Sequence, residues 1–225
     1  MLTKFTALAM GALLSVSALA ADMATLTRQA QSGDVAAQFN LAHEYYQQDN
    51  HAKAVEWFTK AANQGFVDAQ YILGLMYANG QGVRQDDQKV FEWYAKAAHQ
   101  GHAKAQYNLG VMYHKGLGVR QDYQKAFEWF TKAAHQGYAD AQNNLGVMYD
   151  KGLGVRQDYQ KAHEWYTKAA HQGDAGAQRN LGWMYENGHG VSQDKSTAKI
   201  YYGQACDSSG MLGCDHYRRL DLQGY

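Results

Sequence analysis

An internal repeat of 36 residues constrains this chain more than any other feature of its sequence. The segments 101–136 and 137–172 are nearly identical, and both contain the runs Asn-Leu-Gly-Val-Met-Tyr and Lys-Gly-Leu-Gly-Val-Arg-Gln-Asp-Tyr. A chain with such a period folds as a stack of similar units, each burying its apolar face against the next. Equivalent glycines, separated by 32, 36, 36 and 36 residues, are Gly33, Gly65, Gly101, Gly137 and Gly173.

Each unit is predicted to be a hairpin of two helices, which we call helix A and helix B. In the unit that begins at Gly101, the apolar residues Ala105, Leu109 and Met112 recur at helical spacing and mark the buried face of helix A. The following Lys-Gly-Leu-Gly-Val run is expected to end this helix, because glycine adopts positive φ readily. Asp122 is the predicted N-cap of helix B.

The predicted fold class is therefore all-α, an α/α superhelical solenoid of about five helix-hairpin repeats with a capping helix at each end. Composition agrees, because the 225 residues include 23 glycines and no proline, which suits helices separated by glycine turns. The predicted single solenoid domain covers 21–225, with units 33–64, 65–100, 101–136, 137–172 and 173–208 and caps 22–32 and 209–225.

The N-terminal 20 residues are predicted to be a secretory signal peptide that is cleaved near Ala20. They contain Lys4, an apolar run over 5–14 and a small-residue stretch over 15–20. No later segment approaches the ~20 apolar residues that a membrane span needs, so we expect a periplasmic or secreted protein.

The charges balance at 21 basic and 21 acidic residues, which gives no reason to expect nucleic acid as a partner. A monomer is expected.

Two cysteines, Cys206 and Cys214, lie at the predicted end of the last helix B and the start of the final capping helix. Adjacent antiparallel helix ends place such residues at bridging distance, and export permits oxidation, so we predict a disulfide between them. A tetrahedral metal site is not expected, because His216 is the one further nitrogen or sulfur ligand nearby.

The repeated pattern resembles the Sel-1-like repeat family. Its run Ala-Gln-x-Asn-Leu-Gly-x-Met-Tyr-x-x-Gly-x-Gly-Val, followed by Asp, Lys-Ala and Lys-Ala-Ala-x-x-Gly, covers residues 36–207, with Ile72 and Ala42 departing from the Asn and Gly positions. The resemblance implies a relative of tetratricopeptide repeats that acts as an adaptor or scaffold for other proteins. The spacing of Cys206 and Cys214 is also similar to that in bacterial cysteine-rich relatives, some of which are described as binding or slowly hydrolysing β-lactams.

That similarity raises an alternative hypothesis, a weak β-lactamase or a penicillin-binding or peptidoglycan-related enzyme. Two Ser-x-x-Lys motifs occur, Ser192 to Lys195 and Ser196 to Lys199, but no Ser-Asp-Asn or Lys-Thr-Gly partner accompanies them. Catalysis needs different groups that converge on one reacting atom, whereas a repeat multiplies one environment along a line. We therefore predict no catalytic residue, no cofactor and no metal.

A line of similar sites suits an extended ligand. The helices A contain such a line on the face beside their apolar stripe, and we predict that this face lines a concave groove. An asparagine recurs there, and two interpretations of it stay open: its amide binds a peptide backbone, or it satisfies backbone groups between helices. Trp183 stands where the other units have smaller residues, and tryptophan is enriched at binding hot spots. The predicted protein- or peptide-binding residues are Asn40, Tyr71, Tyr107, Asn108, Val111, Asn143, Asn144, Arg179, Asn180 and Trp183.

Overall fold

A computed structural model describes residues 22–225, and the predicted signal peptide lies outside these described residues. The described part of the chain contains helices and no strand, which confirms the predicted all-α class. Its twelve helices, α1 to α12 in chain order, are 22–31, Val35–Gln47, His51–Asn63, Val67–Asn79, Asp87–His99, Ala103–Lys115, Tyr123–His135, Ala139–Lys151, Tyr159–His171, Ala175–Asn187, Lys195–Ser209 and Cys214–Leu222.

The chain divides into two compact units, of which the first ends at Ala97 and the second begins at Ala98. In the first unit, α2 packs against α3 and α3 against α4. In the second unit, α6 pairs with α7, α8 with α9, and α10 with α11, while α12 packs against α11. The even-numbered helices from α2 to α10 are the helices A of the repeat, and the odd-numbered helices from α3 to α11 are the helices B.

The helix ends follow from short polar and glycine signals. Asp122 precedes α7 and its carboxylate accepts the Lys125 backbone N–H at 3.0 Å, as predicted for an N-cap. Gly116 ends α6 with a φ of 73°, in the left-handed region that glycine adopts without a steric penalty. The turn between α2 and α3 is shorter, and Asp49 itself adopts a φ of 57° there. This tight turn agrees with the shortened first repeat.

A glycine in each long helix A lets an aromatic ring of the paired helix B lie directly against the backbone. A Cβ atom built on Gly146 would stand 2.6 Å from two ring carbons of Tyr166, which is 2% exposed. The structure therefore places a buried aromatic ring, and not a neighbouring backbone, against this glycine. The same contact occurs in the pairs Gly74 and Tyr94, Gly110 and Phe130, and Gly182 and Tyr202.

A buried glutamine of helix A ties the α8–α9 hairpin to the helix before it. Gln142 of α8 is 6% exposed, and its Nε2 donates to the carbonyl oxygen of Ala134 in α7 at 3.1 Å. Its Oε1 accepts from Gln172 Nε2 at 2.8 Å, and the same Nε2 also donates to the carbonyl oxygen of Gly137 at 3.0 Å. Two side chains thereby connect three helices and the turn between two of them. Equivalent bonds join Gln38 with Ala30 and Gln64, and Gln106 with Ala98 and Gln136.

The glutamine network ends where the repeat ends. Gln178 is equally buried, but its Oε1 has no hydrogen-bond partner. One 36-residue step after Gln172 the chain has Ser208, whose side chain is shorter than glutamine. The unpaired oxygen therefore has a simple cause, the loss of the glutamine that satisfies it in the earlier hairpins.

This difference predicts opposite outcomes for one substitution at two equivalent sites. Gln142→Met keeps the side-chain volume but leaves the Ala134 carbonyl and the Gln172 amide without their buried partner, so we expect a loss of about 1–3 kcal/mol in unfolding free energy. Gln178→Met removes an oxygen that is already unpaired and is expected to be neutral or stabilising. Urea unfolding followed by circular dichroism compares the two variants. Equal losses would contradict the assigned role of the network.

Candidate binding face

In the second unit, successive helices A are joined by side-chain pairs on the face predicted to bind a partner. We call these pairs rungs. In the first rung, Asn144 Nδ2 donates to Tyr107 OH at 3.4 Å, and in the second, Asn180 Nδ2 donates to Asn143 Oδ1 at 3.1 Å. Both rungs join residues that are 37 positions apart. The predicted asparagine column is therefore a ladder that links α6, α8 and α10.

These bonds bear on the two interpretations of the asparagines. Asn144 also donates to the backbone carbonyl oxygen of Asp140, one turn earlier in α8, at 3.0 Å. Its amide thus satisfies a backbone group and bridges two helices, as the second interpretation predicted. Asn108, Asn144 and Asn180 all keep part of their surface exposed, so an amide column also faces the solvent, as the first interpretation requires.

The aromatic residues beside the asparagines are mainly packing residues. Tyr107 is half-buried between Phe130 and Tyr138, with ring centroids at 5.7 and 5.1 Å. Burial, and then the nearby Asp140 carboxylate, raises the pKa of Tyr107, so its hydroxyl stays protonated. Val111 packs against the core of the same hairpin and is also half-buried. Because these side chains are half-buried in the packing of the hairpin, only their solvent-exposed parts can contact a partner.

The first unit contains the two remaining predicted residues of this type, Asn40 and Tyr71. Asn40 is exposed on α2, and Tyr71 is half-buried with its ring 5.8 Å from that of Tyr94. The same unit contains a largely apolar cavity of about 240 Å³ whose lining includes Ile72 and Leu75 but neither Asn40 nor Tyr71. Ile72 is recognisable in the sequence as a departure from asparagine, but the cavity was not predicted, because it depends on how three helices pack.

Trp183 of α10 is 39% exposed, so the tryptophan singled out from the sequence is available at the surface. Its ring meets that of His189 edge-on at 4.5 Å, which fixes the orientation of the indole. Next to it is a cavity of about 210 Å³, lined by Arg179, Asn180, Trp183, Tyr202 and His216. Three predicted residues thus meet two that were not predicted, from α11 and α12.

His216 could have been found from the repeat, because it lies one 36-residue step after Asn180. Its ring stacks on Tyr202 at 4.6 Å. Its Nδ1 is 3.3 Å from a guanidinium nitrogen of Arg219. Because arginine only donates, Nδ1 accepts in this contact, and the ring proton is then on Nε2.

Both oxygens of the Glu186 carboxylate form hydrogen bonds, one of them with Tyr202 of the cavity lining. Glu186 Oε1 lies 2.6 Å from Arg219, and its Oε2 accepts from Tyr202 OH at 2.9 Å. Burial raises the pKa of Glu186, but the hydrogen bonds from Arg219 and Tyr202 outweigh burial and lower it below its ordinary value. Glu186 is therefore an anchored anion that holds α12 to α10 and is poorly suited to donate a proton in catalysis.

The predicted disulfide between Cys206 and Cys214 is present and joins α11 to α12, with Cα atoms 4.7 Å apart. Among the residues of α12, Leu220 alone is fully buried. An ion pair of 2.6 Å between Lys199 and Asp221 adds a contact between the same helices. Helix α12 therefore has little apolar anchoring and depends on the disulfide to keep His216 beside the cavity.

The two Ser-x-x-Lys motifs do not form an activated serine. Lys199 Nζ pairs with Asp221, and Lys195 Nζ lies 3.3 Å from Tyr225 OH, so the end of the chain engages both ammonium groups. Asp194 is the N-cap of α11, and its carboxylate accepts the Ser196 backbone N–H at 3.0 Å.

Across residues 22–225, no three His, Cys, Asp or Glu side chains are grouped to hold a metal ion.

Comparisons with known proteins identify the repeat. The model of the Sel1 repeat family matches five consecutive segments, 35–66, 67–102, 103–138, 139–174 and 175–209. Among solved structures, a protective antigen of uropathogenic Escherichia coli with an SLR fold is 40% identical, with a TM-score of 0.84 over 90% of this chain and 44% of that one. This chain therefore spans less than half the length of that antigen.

Two further Sel1 repeat structures are similar. One, from Oxalobacter formigenes, is 33% identical with a TM-score of 0.76, and the match covers 80% of this chain and 76% of that one. Another, from Klebsiella pneumoniae, is 26% identical with a TM-score of 0.51, over 88% and 99% of the two chains. No curated protein matches this chain. These matches confirm the predicted solenoid class.

The sequence predicted export and, after the signal peptide, no segment long enough to span a membrane. Among the described residues, none of the helices combines the length and the apolar character that crossing a bilayer requires.

The weak anchoring of α12 predicts a local effect of removing the disulfide. In a double variant, Cys206→Ser with Cys214→Ser, the short loop is no longer closed, and we expect the terminal hairpin to lose about 2–3 kcal/mol. Backbone amides of α12 should then exchange with deuterium faster than in the oxidised protein, while those of α6 remain unchanged. Unchanged exchange in α12 would show that its packing and ion pairs suffice.

Proposed function

This chain belongs to the Sel1 repeat family, and we propose that it is an exported protein–protein interaction module. It binds an extended peptide or a protein surface along the exposed faces of its helices A. The observation that carries this proposal is the part-exposed ladder formed by Tyr107 of α6 with the asparagines of α8 and α10, on the same helix as the exposed indole of Trp183.

The chemistry of this face fits a polypeptide better than a small substrate. Amides at regular intervals can exchange hydrogen bonds with a main chain whatever its sequence. Apolar positions such as Val111 and Trp183 lie beside them and can take side chains. Generic polar contacts beside variable apolar ones are the arrangement of surfaces that bind peptides with moderate sequence preference.

Export is supported by two independent features. The N-terminal segment before Ala20 has the three zones of a signal peptide. The disulfide between Cys206 and Cys214 is of a kind that forms and persists in oxidising compartments. We therefore place the mature protein in the periplasm or outside the cell.

A non-catalytic role is supported by the way the polar groups are arranged. The lysines of both Ser-x-x-Lys motifs are held by the C-terminal residues Asp221 and Tyr225, and Glu186 is neutralised by Arg219. Nucleophilic catalysis needs a base in contact with the nucleophile. The surface contains repeated environments suited to binding.

Capture of a partner tests the proposal. The immobilised mature protein is incubated with a periplasmic extract of its own source, and bound proteins are identified by mass spectrometry. We expect a specific protein to be retained, and its retention to fall about ten-fold or more in the triple variant Asn108→Ala, Asn144→Ala and Trp183→Ala, because hot-spot residues dominate binding energy.

A matched control carries three changes on exposed positions of the helices B, Gln124→Ala, Glu128→Ala and Gln160→Ala. This control should capture the partner as well as the unchanged protein does. Capture that survives the helix A variant but is lost in the helix B control would place the binding surface elsewhere and reject the proposal.

A further inference from the structure

The ladder of side-chain pairs contains a third rung whose chemistry differs from the first two. The rungs join residues 107 with 144 and 143 with 180, and the next pair at the same 37-residue spacing is Arg179 with His216. Arg179 follows Asn143 by one repeat, and His216 follows Asn180. Both line the cavity of about 210 Å³ between α10, α11 and α12.

The first two rungs each contain a donor and an acceptor, so they close by a direct hydrogen bond. The third rung contains a guanidinium, which only donates, and an imidazole whose accepting nitrogen is already used by Arg219. Two donors cannot bond to each other. This rung is complete only when an acceptor occupies the space between them.

The surrounding groups do not supply that acceptor. Tyr202 directs its hydroxyl proton to Glu186, and Glu186 is paired with Arg219. Arg179 donates to the neutral amide oxygen of Asn180 at 3.3 Å, a long bond that uses one of its five N–H groups. The lining of this cavity therefore includes the guanidinium-bearing Arg179 and His216, and its volume is large enough for a carboxylate.

We propose that the third rung binds the carboxylate of an aspartate or glutamate side chain of the bound peptide, with Arg179 and His216 as its donors. This inference rests on the proposed function and names the residue that the peptide must carry at this position. The exposed indole of Trp183 borders the same cavity, so an apolar neighbour of the acidic residue packs on it.

An internal side chain fits the ladder better than a chain terminus does. Asn180 belongs to the second rung and also lines the cavity. A main chain held along the asparagines therefore passes the cavity, and a side chain enters it. Charge-assisted bonds from an arginine to a carboxylate are about twice as strong as bonds between neutral groups, which makes this position selective.

Two blocked peptides test the inference, acetyl-Ala-Leu-Glu-Leu-Ala-amide and its counterpart with glutamine in place of glutamate. Binding to the mature, oxidised protein is followed by nuclear magnetic resonance of the arginine side chains and the tryptophan indoles. We expect the glutamate peptide to bind about ten-fold or more tightly than the glutamine peptide. The signals of Arg179 and Trp183 should shift most.

The substitution Arg179→Asn gives the third rung the residue that the second rung has at Asn143. This variant should bind both peptides equally, whereas Arg156→Asn, a change at an exposed loop arginine, should keep the preference. A further peptide with glutamine and a free C-terminus separates a side-chain carboxylate from a terminal one. It should bind no better than the blocked glutamine peptide.

The inference is overturned if the two blocked peptides bind equally, if the free C-terminus replaces the glutamate, or if the glutamate peptide shows no binding up to roughly 10 mM. None of these results affects capture of the partner by the helix A face, which depends on Asn108 and Asn144. Failure of that capture experiment would instead reject the proposed function itself.

Discussion

The hydrogen-bonded buried glutamine of helix A, such as Gln142, is the interaction on which the stacking of neighbouring hairpins depends. A polar side chain inside an alanine-rich layer is favourable only if its donor and acceptor are both satisfied. Gln142 achieves this by joining α7, α8 and α9 through Ala134 and Gln172. An apolar contact tolerates sliding, whereas a hydrogen bond does not, so this network fixes the register of the hairpins that it joins. The same register sets which side chains of successive helices A are paired in the rungs.

A solenoid built in this way keeps its core constant and varies its surface. The contact between a glycine and an aromatic ring, such as that of Gly146 with Tyr166, recurs in successive hairpins, and a side chain in place of the glycine would collide with the ring. The polar ends of the rungs lie outside this layer, so an exchange such as asparagine for arginine alters the chemistry of the surface more than the packing of the core. The change from Asn143 to Arg179 one repeat later turns a neutral pair into a cationic site, and the disulfide-held α12 provides its second half through His216.

Much of this could be predicted from the sequence, because periodicity reports directly on helix faces. The helix hairpins, the Asp122 cap and the disulfide follow from local signals. The role of Gln142 was missed, because a glutamine followed by Asn143 and Asn144 resembles a surface position until its partner 30 residues later is known. His216 was missed because α12 lies beyond the recognised repeats, although it stands one 36-residue step after Asn180.

Hydroxyl-radical footprinting of the complex with the captured partner tests the central claim that recognition occurs on the helix A face. Trp183 on that face and Ile200 on α11 are both exposed, at 39% and 60%, so both react in the free protein. The account predicts that the partner protects Trp183 and leaves Ile200 reactive. Protection of Ile200 with Trp183 still fully reactive would contradict it.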